Sequence, residues 1–88
     1  MKPLNYAILK HFTKVDNACA DDVMEALKAQ YGHFKAFTKN DFITALMTAE
    51  TNGLIAEKSF EMDKSGNLRI YYHANEESVA TINSYIAD

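Results

Sequence analysis

The stretch that decides the fold is residues 46–55, Leu46-Met47-Thr48-Ala49-Glu50-Thr51-Asn52-Gly53-Leu54-Ile55. Its Asn52-Gly53 pair is a typical helix stop, because glycine accepts the left-handed backbone that often follows the last helical turn. From Leu54 onward the even-numbered positions are mostly apolar, which is the two-residue period of a strand. The sequence therefore predicts that a helix ends near residue 52 and that a strand follows at once.

The helix before this boundary is predicted to span residues 39–52. Thr38 can cap its start, and Asp41 stands three residues later, as in a capping box. Four apolar residues at helical spacing are expected to form its buried face: Phe42, Ile43, Leu46 and Met47. The opposite side then carries a stripe of short polar side chains: Asn40, Thr44, Thr48 and Thr51.

Two strands are predicted after the boundary, at residues 54–62 and 68–72, and Asp63-Lys64-Ser65-Gly66-Asn67 supplies the turn between them. Pairing Met62 with Leu68 places all even-numbered positions on one face, with Lys58 as the polar exception. The paired positions that follow from this register are Phe60 with Ile70, Glu61 with Arg69, and Glu57 with His73. Opposite charges in facing positions favour this register.

Three further helices are predicted at residues 3–13, 20–31 and 76–87. Pro3 suits a first helical turn, and Asp21 and Asp22 suit the positive end of a helix dipole. Asn75 can cap the last helix. The 88 residues leave room for one hydrophobic core, so the chain is predicted to be a single α+β domain over 1–88.

The order of helix, helix, helix, hairpin and helix resembles the winged helix-turn-helix family of bacterial DNA-binding transcriptional regulators. Two stretches carry the resemblance: Ala20-Asp21-Asp22-Val23-Met24-Glu25-Ala26-Leu27 and the exit through Asn52-Gly53-Leu54-Ile55. The resemblance implies a three-helix core, a two-stranded wing at 54–73 and a C-terminal helix. It also implies that the third helix enters the major groove of double-stranded DNA. Some members of this family bind proteins instead.

Candidate DNA contacts divide by their chemistry. The lysines Lys35, Lys39 and Lys64 are expected to meet phosphates, which fix position but not sequence. Three residues of the third helix are candidates for base contacts: Asn40, Thr44 and Thr48. Asp41 and Glu50 oppose this interpretation, because carboxylates repel phosphate. The net charge of −3 opposes it as well.

The alternative is a winged-helix module that binds a protein partner and no DNA. A homodimer is also expected, because a chain this short buries an apolar helix with difficulty. Its interface would use Val79, Ile82 and Ile86 of the last helix. The competing interpretation is that this helix packs across the first helix of the same chain.

An enzyme is not expected, because His11, His33, His73 and Cys19 have no metal-ligand spacing and no glycine-rich phosphate loop is present. No cofactor and no metal are predicted. The single cysteine is expected to be a small buried side chain and fits a reducing, cytoplasmic setting. No apolar run approaches membrane-spanning length, so no membrane is expected to be a partner.

Overall fold

Four helices and one antiparallel hairpin make up the protein, as described for residues 1–88 by a computed structural model. The elements are α1 (Leu4–His11), α2 (Ala20–Tyr31), α3 (Lys39–Thr51), β1 (Ala56–Met62), β2 (Leu68–His73) and α4 (Glu76–Tyr85). The predicted α+β class and order of elements are confirmed. The first helix is shorter than predicted, and the first strand begins at Ala56 and not at Leu54.

The helix starts are held by the side chains that the sequence indicates. Thr38 Oγ1 accepts a hydrogen bond from the Asp41 backbone N–H at 3.1 Å, and Asn75 Oδ1 accepts one from the Ser78 backbone N–H at 2.8 Å. Each bond satisfies a backbone N–H that the first helical turn leaves without a partner. Gly53, with φ of 77°, provides the predicted stop after α3.

The hydrophobic core lies where α1, α2 and α3 meet the base of the hairpin. It contains ten buried residues: Ile8, Phe12, Ala18, Ala20, Val23, Phe42, Leu46, Ala49, Ile55 and Tyr72. Helix α3 contributes a narrow stripe of three buried residues to the core: Phe42, Leu46 and Ala49. The prediction that Ile43 and Met47 are also buried is wrong, since they are 39% and 55% exposed. They lie on the flank of α3, beside the stripe that the core covers.

The hairpin register is confirmed at its tip and wrong at its base. Met62 pairs with Leu68, and Glu61 pairs with Arg69, as predicted. Glu57, however, pairs with Tyr72 and not with His73, because β1 holds one extra residue between Glu57 and Ser59. Such a bulge shifts the pairing by one position. The extra residue falls at Lys58, the position that breaks the apolar alternation.

The base of the hairpin is anchored on its second side by the segment before α2. Ala18 and Tyr72 exchange two backbone hydrogen bonds of 3.0 and 2.9 Å, so β2 has a neighbour on both edges at this point. Toward the tip, β2 pairs only with β1, and every residue of β1 is exposed. The hairpin therefore extends beyond the part of the sheet that the core supports.

The last helix packs inside the chain. Ile82 and Ile86 are buried, and Val79 is partly buried, with α4 lying against α1. The expectation that Ile82 and Ile86 meet a second copy is therefore wrong, because both side chains are buried within one chain. The last helix packs against the first, as the competing interpretation expects. The homodimer itself stays a prediction, but these two side chains do not supply its surface.

A buried lysine ties α1 to the end of α4. Lys10 Nζ donates hydrogen bonds to Asn83 Oδ1 at 2.5 Å and to the Ile86 carbonyl oxygen at 2.8 Å, and it lies 3.6 Å from the Asp88 carboxylate. Its side chain is only 8% exposed. A buried ammonium is tolerated when acceptors surround it, as they do here.

We expect Lys10→Met to lower the free energy of unfolding by about 1–3 kcal/mol, because the Ile86 carbonyl and the Asn83 amide lose their donor. The matched control is Lys14→Met, since Lys14 contacts only the exposed Asp88 carboxylate and is itself exposed. The control is expected to cost less than about 1 kcal/mol. Urea unfolding followed by circular dichroism measures both. Equal midpoints for the two variants would contradict the role given to Lys10.

Candidate interaction surface

A groove of about 420 Å³ runs between α3 and the hairpin. We call it the α3–hairpin groove and define it by three wall residues, Ile43 and Met47 from α3 and Leu68 from β2, together with the deeper Leu46 and Tyr72. Its volume lies within the range of about 300–1,000 Å³ that is common for ligand sites.

The hairpin adds an exposed apolar face beside the groove. Phe60, Met62 and Leu68 are 66%, 63% and 58% exposed. The prediction that they share one face is confirmed, since Met62 pairs with Leu68 and Phe60 pairs with Ile70, and this face is exposed toward the tip. The reason is length: the core ends at Tyr72, and the paired residues nearer the tip project past it. Together with Ile43 and Met47, five large apolar side chains are therefore exposed on α3 and the hairpin.

A chain of ion pairs occupies the end of the groove nearest the start of α2. Lys39 Nζ lies 2.6 Å from Asp21 Oδ1, and Arg69 Nη2 lies 3.6 Å from Asp21 Oδ2. Arg69 also reaches Glu61 at 3.5 Å, which confirms the predicted pairing of these two charges. The Tyr71 hydroxyl donates to the same Glu61 carboxylate at 2.9 Å, and this bond raises the pKa of Tyr71. Both cations at this end are thus neutralised within the chain.

Two exposed carboxylates, Glu50 and Glu57, lie outside the groove, on α3 and at the base of the hairpin. Glu57 stands opposite Tyr72 in the strand register, and Glu50 is in the last turn of α3. Burial raises the pKa of Tyr72, and the negative charges of Glu50 and Glu57 raise it further. Neither glutamate takes part in an ion pair.

The predicted phosphate contacts lie on separate elements, and one of the three lysines is paired within the chain. Lys35 in the loop before α3 and Lys64 at the hairpin tip are exposed and have no ion-pair partner, whereas Lys39 is held by Asp21. The predicted base contacts are exposed along α3: Asn40, Thr44 and Thr48. Within the same helix, Asp41 and Glu50 are also exposed.

Lys64 is presented by a well-defined turn. Asp63 Oδ1 accepts hydrogen bonds from the backbone N–H groups of Ser65 and Asn67, both at 2.9 Å. These bonds favour the charged carboxylate and lower the pKa of Asp63. Gly66, with φ of 82°, completes the turn because only glycine adopts this backbone without strain. The tip therefore carries one cation directly beside one anion.

No group of three or more histidine, cysteine or acidic side chains lies close enough together to hold a metal ion. Cys19 is buried, as predicted, and burial raises the pKa of its thiol, which disfavours the reactive thiolate. None of the four helices combines the length and apolar character needed to cross a membrane.

Comparison with protein-family models gives no match, and comparison with curated proteins gives none. Arguments about function therefore rest on the chain's own residues. Sequence reasoning missed the exposed apolar set, because it assigned Ile43 and Met47 to the buried face of α3 and did not address whether the apolar face of the hairpin is covered. The Asp21 contacts to Lys39 and Arg69 were missed as well, since they join residues from separate elements.

Proposed function

We propose that this chain is a protein-binding module with a winged-helix layout, which meets its partner through α3 and the hairpin. The order of three helices, a hairpin and a fourth helix supports the layout. One observation carries the choice of partner: five large apolar side chains are exposed on the two elements that would face DNA in a winged-helix regulator. Exposed apolar surface grouped in this way is typical of interaction sites on proteins.

The energetics favour a protein partner for this surface. Burial of a large apolar side chain stabilises a complex by roughly 1.5–3 kcal/mol when it is complete. The exposed side chains of Met47, Phe60 and Leu68 gain this stabilisation only when they pack against other apolar groups. A phosphate backbone does not provide such groups, and most protein contacts to DNA are made to phosphate and sugar.

Double-stranded DNA is the second candidate, and a different observation favours it. Lys35 and Lys64 are exposed and unpaired, one before α3 and one at the hairpin tip, where a winged-helix regulator would meet phosphates. The base contacts would come from Asn40, Thr44 and Thr48. Against this candidate, Lys39 is already paired with Asp21, and α3 carries no arginine to read guanine.

Two titrations of the same purified chain separate the candidates. In the first, a labelled random-sequence duplex is titrated at low salt, where attraction to phosphate is strongest. We expect no saturable binding, because the net charge is −3 and two of the cations nearest α3 are paired. Tight binding whose salt slope falls by about one unit in Lys35→Ala or Lys64→Ala would favour DNA instead.

In the second experiment, the chain is the bait for selection from a peptide-display library, and each enriched peptide is then titrated against the chain. We expect peptides rich in apolar residues. Enrichment of no peptide, together with DNA binding, would overturn the proposed function.

A further inference from the structure

We propose that the protein has a second binding surface, a basic patch at the end of α2 that binds an acidic segment of a partner protein. We call it the α2-end patch and define it by Lys28, Phe34 and Lys35 together with Lys2 of the segment before α1. This inference goes beyond the proposed function, because the patch lies on other elements than the α3–hairpin groove and shares no residue with it.

Two stretches of the chain that contain no acidic residue meet at this patch. Residues 1–15 and residues 26–40 each carry three lysines and neither aspartate nor glutamate. The buried Tyr31 joins the two stretches, since its hydroxyl donates a hydrogen bond of 2.6 Å to the Lys2 carbonyl oxygen. The fold thereby brings together cations that are far apart in the sequence.

Lys28 and Lys35 lie on either side of this contact. Lys28 is one helical turn before Tyr31 in α2 and is exposed. Phe34 packs edge to face on the Tyr31 ring, with centroids 5.2 Å apart, and its backbone N–H donates to the Tyr31 carbonyl oxygen at 2.9 Å. Lys35 follows directly and is exposed as well. Since Phe34 is 36% exposed, the patch also offers apolar surface beside its lysines.

The cations of the patch are the ones that the chain leaves without an ion pair. Of the nine lysine and arginine residues, five form ion pairs: Lys10, Lys14, Lys39, Lys58 and Arg69. Three of the remaining four belong to the patch, and the fourth is Lys64 at the hairpin tip. In a chain with a net charge of −3, the α2-end patch is therefore a local concentration of uncompensated positive charge.

The size of this patch favours an acidic protein segment over a larger polyanion. Charges on a protein surface are screened over about 8 Å at physiological ionic strength, so a short segment on the patch is influenced mainly by the lysines. A nucleic acid or an anionic bilayer extends beyond the patch and meets the rest of a negatively charged chain. Apolar residues between the acids of a protein segment also find a contact on Phe34. The complementary charge then fixes the position of the segment.

The test uses two short labelled peptides, one rich in glutamate with a leucine at its centre, the other with glutamine in place of every glutamate. Fluorescence anisotropy measures their affinity for the intact chain at low salt. We expect the glutamate peptide to bind about fivefold more tightly or better, since several exposed ion pairs of modest strength act together. The preference is expected to shrink as salt is added.

The variant that tests the assignment is Lys28→Gln with Lys35→Gln, which is expected to weaken binding of the glutamate peptide by about fivefold or more. The matched control is Lys58→Gln with Lys64→Gln, which changes the net charge equally at exposed positions of the hairpin. The control is expected to keep the affinity within about twofold, because distant surface charges are screened.

Three results would overturn this inference: equal affinity for the two peptides, an equal loss in both double variants, and no loss in the Lys28 and Lys35 variant. A single-stranded oligonucleotide and vesicles with anionic lipid serve as further probes. Tighter binding of either probe than of the glutamate peptide, lost in the Lys28 and Lys35 variant, would show that the patch binds phosphate groups and not an acidic protein segment.

Leu68→Asp separates this inference from the proposed function. We expect it to leave the affinity for the glutamate peptide unchanged, because Leu68 lines the α3–hairpin groove and not the patch. A loss in this variant would place the peptide in the groove, which overturns the inference but supports the proposed function. Conversely, a groove that binds no apolar peptide leaves the expected result at the patch unaltered.

Discussion

Phe42→Ala is expected to leave a large share of the molecules unfolded at room temperature. Phe42 is fully buried on α3, and its ring meets Phe37 edge to face with centroids 4.9 Å apart. Removing a buried phenylalanine side chain typically costs about 3–5 kcal/mol, through lost burial and the cavity that remains. Small domains have a total stability near the lower end of about 5–15 kcal/mol, so this loss removes most of it.

Urea unfolding at equilibrium measures this loss, and Met47→Ala is the matched control on the same helix. Met47 is 55% exposed, so its truncation is expected to cost less than about 1 kcal/mol. The comparison also tests the burial pattern of α3, because both residues were predicted from sequence to be buried. A larger loss for Met47→Ala than for Phe42→Ala would contradict the orientation of α3.

Leu68→Asp is expected to weaken partner binding by about 30-fold or more while the fold stays intact. Leu68 stands in the wall of the α3–hairpin groove and is 58% exposed, so the change costs little stability. In a complex the new carboxylate would be buried against apolar groups without a partner. The few residues that dominate an interface cluster near its centre and contribute about 2 kcal/mol or more each, which corresponds to a loss of affinity of about 30-fold or more.

Isothermal titration calorimetry with a peptide selected on the wild-type chain measures this effect. Val15→Asp is the control, because Val15 is an exposed apolar residue in the segment between α1 and α2 and does not line the groove. It is expected to leave the affinity unchanged within about twofold. Wild-type affinity in Leu68→Asp would show that the peptide binds elsewhere, and thermal unfolding of each variant verifies that the fold is retained.

The features of the fold that depend on residues close together in the sequence were predictable from it. Thr38 and Asn75 cap their helices because each side chain reaches a backbone N–H three residues away. The pairing of Met62 with Leu68 follows from a five-residue turn held by Asp63 and Gly66. Such interactions need no information about the rest of the chain.

The exposed apolar surface was not predictable in the same way. Periodicity places Phe60, Met62 and Leu68 on one face, but it does not tell whether another element covers that face. Coverage depends on how far α3 and the core extend along the hairpin, which is a property of the whole packing. For the same reason the sequence did not predict that Ile43 and Met47 lie outside the buried stripe of α3.

Two further differences have identifiable physical causes. The polar Lys58 is the one sign of the bulge in the sequence, and an unbroken alternation through it predicts the wrong partner for Glu57. Lys39 was predicted to be available to phosphate, but Asp21, 18 positions earlier in the chain, holds it. Contacts between distant residues of this kind decide which charges remain free.

Chemical-shift mapping of the isotope-labelled chain tests most directly whether α3 and the hairpin form a protein-binding surface. We expect a selected peptide to shift the amide signals of Ile43, Met47 and Leu68, and an equal concentration of duplex DNA at low salt to leave them unchanged. The contradicting result is that DNA shifts the signals of Lys35, Thr48 and Lys64 while no peptide perturbs the groove.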